Sequence, residues 1–160
     1  MDEAQIAVMM DALLRISLGA RFLYSGLSNI RRWPNAVHNA RLVSPFGATF
    51  LGFIAVLFMV AGGLGLALGF QTRIAALMIA LFLVPTVKIQ WYWLRALPGT
   101  IEEINRALPQ GESRSRFQLV ARHAFHSHET GWQNNLLFLM VALFYCARGS
   151  AAFGLDNWLR

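Results

Sequence analysis

From Phe46 to Phe70 no charged side chain interrupts the chain, and after Arg73 a second apolar run lasts to Val87. A helix crosses the hydrocarbon core of a bilayer with about 20 apolar residues, and it satisfies its backbone hydrogen bonds within its own length. The pattern predicts a transmembrane hairpin, with helices at 46–69 and 73–93 and a tight turn at Gly69-Phe70-Gln71-Thr72-Arg73. Pro85 predicts a kink in the second of these helices. Apolar segments at 4–30 and 132–148 flank the hairpin. The expected fold is all-α: a polytopic membrane protein, a four-transmembrane-helix bundle in one domain spanning 1–160.

Between the apolar segments the pattern changes. Arg31, Arg32 and Trp33 close the first helix, and Pro34 is expected to stop it before a short loop at 31–45. Lys88, Trp91, Tyr92, Trp93 and Arg95 read as an interfacial belt. Residues 96–131 are polar and long for a connection. Thr100-Ile101-Glu102-Glu103 matches a capping box, followed by an apolar stripe at Ile101, Ile104 and Leu108. A second amphipathic piece covers about 115–125. Both are expected as short amphipathic helices lying on the membrane surface, an interfacial insert in the third loop; a plain solvated loop is the alternative.

Composition supports the membrane reading. Of 160 residues 56% are hydrophobic and 14% charged, against about 25% charged in a soluble domain. The net charge of +6 does not indicate nucleic acid, because the basic residues flank apolar runs as membrane topology requires. Arg31, Arg32, Arg41, Lys88, Arg95, Arg106, Arg114, Arg116 and Arg122 fall on one side; Arg73, Arg148 and Arg160 fall on the other. The positive-inside rule puts loops 31–45 and 94–131 in the cytoplasm and both termini outside. The acidic start MDEAQ lacks the features of a signal peptide and reads as mature sequence. One cysteine, Cys146, excludes an internal disulfide.

Few residues carry chemistry. Asp11, Arg15 and Arg21 lie in the first apolar segment, where charge is costly. Asp11 and Arg15 are four apart and are expected to form a structural ion pair along one helix face; alternatively Arg15 faces the interior and holds an anionic or quinone-like group. Gly19 and Gly26, and the ridge Ala61, Gly65 and Gly69, mark close helix packing. His123, His126, His128 and Glu129 form H-x-x-H-x-H-E, a weak candidate metal site; interfacial hydrogen bonding is the alternative. No histidine lies inside an apolar run, which argues against haem, and no nucleotide-binding loop or nucleophile elbow is present.

Three stretches, LLRISLGARFLYSGLSNI, GLALGFQTRIAALMIALFLVPT and GSAAFGLD, resemble the DoxX/DoxD-like family of small four-helix membrane proteins. The resemblance covers the first three helices and the tail. It implies association with redox complexes, including the membrane subunit of thiosulfate:quinone oxidoreductase, in a bacterial-type inner (plasma) membrane. It also implies a pocket near His126 on the loop side. The glutamate common in the family's second helix is missing, since 46–69 contains no acid.

The expected function is an integral membrane accessory or scaffold subunit of a quinone-linked redox complex, without a complete catalytic site of its own. The alternative is a quinone-binding subunit of an oxidoreductase, with Arg15, Arg73, His126 and Lys88 as ligand candidates; a small transporter is weaker. Expected partners are the bilayer and other membrane subunits, with quinone or lipid as the possible ligand and no nucleic acid.

Overall fold

A computed structural model describes residues 2–151 and 153–159. The described residues form helices and connections, without a strand. The helices are α1 (Glu3–Arg31), α2 (Trp33–Val43), α3 (Ala48–Leu68), α4 (Thr72–Ala107), α5 (Glu112–Arg148) and the short α6 (Leu155–Trp158). Four long helices pack in the order α1, α3, α4, α5, and α2 covers the end of the bundle away from the α3–α4 turn. Two of them, α3 and α4, are long and apolar enough to cross a membrane.

Glycine sets the closeness of α1, α3 and α4. A Cβ at Gly63 would lie 2.6 Å from the Leu23 nitrogen, and one at Gly19 would lie 2.6 Å from the Gly63 oxygen. The neighbouring Gly62 turns the other way, where a Cβ would meet the Ala75 oxygen at 2.9 Å. Adjacent helix positions point about 100° apart, so this pair serves two interfaces at once. Gly65 also packs on Ala75, and Gly26 on Met59 and Val60. Ala61, expected in the ridge, is only half-buried.

The α3–α4 turn is tied down from three directions. Gly69 adopts the left-handed conformation (φ 65°), with Phe70 N donating to Gly65 O and Gly69 N to Leu66 O, which is a Schellman close. Gln71 is also left-handed (φ 45°). Its N–H and that of Thr72 donate to the Asp156 carboxylate at 2.7 and 2.9 Å, capping α4 from the tail. Arg15, fully buried, donates to the carbonyls of Leu66 (2.6 Å) and Ala67 (3.4 Å), and to Phe153 O at 2.9 Å.

Arg15 therefore corrects the expected ion pair with Asp11. The last carbonyls of α3 have no intrahelical donors and carry the negative end of the helix dipole, and a five-donor guanidinium satisfies several at once. Asp11 instead faces Arg148, with Oδ1 3.5 Å from a guanidinium nitrogen, while Tyr145 donates to the Asp11 backbone oxygen at 2.7 Å.

Two loops also differ from expectation. The first is helix α2, with Pro34 in its opening turn, where a missing N–H costs nothing. In the third, no separate short helices form: α4 continues through Pro98 to Ala107, and α5 begins at Glu112. The capping box at Thr100 is not used, because its hydroxyl bonds Ala96 O inside the helix. Packing overrides propensity here. Ile101 and Asn105 share a groove with Ala121 and Phe125, so the expected interfacial insert 96–131 is a paired helical arm. The arm rises roughly 20 Å beyond Trp93 at 1.5 Å per residue.

Candidate functional site: an inter-helix cavity

The α2 end of the bundle encloses a cavity of about 420 Å³ walled by α1 to α5. Its walls are largely apolar, with Phe22 stacked edge-on against Phe82 and Phe138 at centroid distances of 6.0 and 5.8 Å. That volume lies within the range of small-molecule sites, about 300–1,000 Å³.

Polar groups reach it from four helices, with Asn39 the contribution of α2. On α1, Arg21, Ser25 and Asn29 recur every four residues on one face. Arg21 donates to the Ser25 hydroxyl, and Asn29 Nδ2 donates to Ser25 O at 3.0 Å. On α4, Thr86 and Gln90 sit one turn apart. Asn135 of α5 donates to the Thr86 hydroxyl at 3.0 Å, and that hydroxyl donates to Leu83 O, beside Pro85. Gln90 Oε1 lies 2.6 Å from His128 Nδ1. No carboxylate lines the cavity among the described residues. Arg21 and Leu81 both line it and are exposed, so the cavity opens on the outer surface of the bundle.

The ligand candidates read from sequence do not share a site. Arg15 is consumed at the α3–α4 turn, and Arg73 lies at that same end against Gly149. Lys88 is at the opposite end, donating to Val43 O at the C-terminus of α2. His126 is on the arm, roughly 35 Å from the turn at the helical rise, where Nδ1 meets Glu129 at 3.0 Å. The pocket implied near His126 is a shallow groove between the arm helices.

The histidine cluster also dissolves. Residues 126 and 128 are about 200° apart on a continuous helix, so His126 and Glu129 face outward while His128 turns to α4. There it stacks on Trp93 (5.8 Å, 19°) and faces Gln90. Burial pushes the His128 imidazole below its usual range. Among the described residues no group of three or more His, Cys, Asp or Glu is placed to hold a metal ion.

The cavity residues Asn29, Asn39, Thr86, Gln90 and Asn135 were not singled out from sequence, and Arg21 was noted only as a charge. A signal existed: a polar stripe at every fourth residue on an otherwise apolar helix.

The cavity's α1–α4 walls coincide with a recognisable unit, because the DoxX family model matches residues 10–94. The chain belongs to the DoxX family. It is therefore an integral membrane protein of a family tied to membrane redox processes. Neither the curated proteins nor the solved structures gave a match. The DoxX match includes Arg15, Arg21 and Gln90 and stops at Leu94. The arm and α5, with Asn135 and His128, lie beyond it.

Proposed function

We propose that this DoxX protein is a four-span membrane subunit that holds a lipid-soluble ligand of the quinone class in the cavity, within a redox assembly. The observation that carries this reading is an apolar cavity with hydroxyl and carboxamide groups on opposite walls. Such walls accept a flat ring, and donors at each end bind its two carbonyl oxygens. Among the described residues the cavity presents hydroxyls, carboxamides and a guanidinium but no carboxylate; in this reading the chain binds and positions, and partner subunits supply electrons.

The four-span part of the reading rests on what is exposed. Leu13 and Leu27 of α1, Phe53 and Leu57 of α3, Leu77 and Leu81 of α4, and Leu137 and Met140 of α5 all face outward. Asp11, Arg15 and Thr72 are buried. Lipid on four sides explains this inversion. Asp11–Arg148 and Arg15–Phe153 bring both termini to the turn end. The positive-inside rule then puts that end outside a bacterial-type plasma membrane and the arm in the cytoplasm.

The test is binding of a short-chain quinone to the chain in lipid nanodiscs. The wild type should bind. Ala55→Phe, which fills the cavity without removing a polar group, should abolish binding while the fold persists. Equal binding by both proteins would reject the site. For orientation, a cysteine placed at Gln110 should resist an impermeant thiol reagent in intact cells; labelling there would invert the topology.

An accessory docking role is favoured separately by the arm, which exposes Leu119 and Val120 beyond the belt. Val120→Asp should release co-purifying subunits without changing quinone binding. Undiminished recovery of those subunits would remove this role.

A further inference from the structure

Arg21 stands where a cation is hard to explain. The α1–α3 contacts give its depth: Gly19 packs on Gly63 and Ala67, and Gly26 packs on Met59 and Val60. Arg21 thus lies inside the length of α3, and Ser25, to which its guanidinium donates, lies near the midpoint of that helix. An arginine in a bilayer ordinarily extends toward the nearer surface. For Arg21 that surface is at the Arg15 level, about 9 Å away at the helical rise. The side chain turns the other way, toward the mouth of the cavity.

Nothing in the described chain neutralises it. The ion pairs are Arg106–Glu102, Arg116–Glu112, His126–Glu129 and Arg148–Asp11, and none includes Arg21. Among the described residues its hydrogen-bond partner is the neutral Ser25 hydroxyl. A guanidinium cannot shed its proton, and a charge at this depth is costly and marks functional sites. The contrast with Arg15 is direct: both terminal nitrogens of that guanidinium donate to carbonyls and only its Nε is unpartnered, whereas Arg21 has a terminal nitrogen to spare and a cavity beside it.

We infer that the cavity takes its ligand as an anion, with Arg21 as the counter-ion: a lipid-soluble ring acid, such as a hydroxyquinone or another ring bearing an ionised hydroxyl. This rests on the quinone-class reading and narrows it. The ionised ring oxygen sits on Arg21, and the far ring oxygen faces Gln90 and Asn135. Among the described residues no titratable side chain other than Arg21 lines the cavity.

The experiment uses two probes with the same alkyl tail, a 1,4-naphthoquinone and its 2-hydroxy derivative, which is ionised and coloured at neutral pH. The full chain in nanodiscs should bind the hydroxy probe at least about tenfold more tightly, the scale of one charge-assisted hydrogen bond. The bound probe should show the visible band of the anion. Arg21→Gln should erase the preference while still binding the neutral probe, and Arg21→Lys should keep part of it. Equal affinity of the wild type for both probes, or a preference that survives Arg21→Gln, overturns the inference and leaves the quinone reading intact. Failure of the wild type to bind either probe overturns both. Because Arg21 is exposed, Arg21→Gln should fold, and an unchanged melting temperature without probe confirms this.

Discussion

Two arginines six residues apart on α1 divide the molecule. At the α3–α4 turn, Arg15 is fully buried and tied to three carbonyls, with glycine contacts and an aspartate cap closing the space around it. At the α2 end, Arg21 borders an open cavity and bonds a single hydroxyl. One end is a clamp and the other is a container. A charge in an apolar helix is not functional by virtue of being there. What matters is whether the fold has already used its donors.

The largest loss is expected from Arg15→Met. It should take the Arg15 donors away from the carbonyls of Leu66, Ala67 and Phe153, leaving Leu66 O with Gly69 N alone, and cost about 3 kcal/mol or more, on the scale of breaking a buried charged contact. Adding Asp11→Asn should not rescue it, because Asp11 faces Arg148. A double mutant restored to wild-type melting temperature in detergent would return Asp11 to the role of partner.

Gly63→Leu should come next. Even its Cβ meets Leu23 and Gly19 backbone atoms at 2.6 and 2.8 Å, so α1 must move away, at about 1–3 kcal/mol. Thermal unfolding in detergent measures the loss, and an unchanged transition would show that α1 tolerates a wider spacing.

Asp156→Ala should cost about 1 kcal/mol, the usual value of an N-cap, and should raise proteolytic clipping of the tail. A tail equally protected in the variant would show that α4 holds its first turn without the cap.

The smallest expected effect is at His128. Its pKa is lowered in the fold by burial, so the unfolded chain binds more protons as pH drops through the ordinary imidazole range near 6.5. The contribution of His128 is complete above that range and declines as pH falls toward the lowered folded value. The melting temperature of the wild type should therefore drop slightly more on acidification than that of His128→Phe. Identical pH profiles would place the imidazole in water.

The all-helical class, the α3–α4 hairpin, its tight turn and the DoxX resemblance were legible in the chain. The runs Phe46–Phe70 and Ile74–Val87 leave a helix as the way to satisfy backbone groups in lipid, and Gly69 marks the stop. Gly65 and Gly19 were legible as packing residues, since a missing Cβ is a local fact. The helical arm was not legible: Pro98-Gly99 reads locally as a break, and only pairing with α5 carries the helix through it.

The site was beyond the sequence for a related reason. Arg15 and Arg21 have the same side chain on the same helix, and spacing to Asp11 favoured the wrong partner. What separates them is 51 residues away along the chain, in the carbonyl of Leu66. Helix, hairpin and membrane embedding follow from hydropathy and backbone chemistry within one segment, so the sequence determined them. Which arginine is spent, where a cavity remains, and that His128 turns from its neighbouring histidines to Gln90 depend on which faces meet between segments. Those were set by packing between segments distant in the chain.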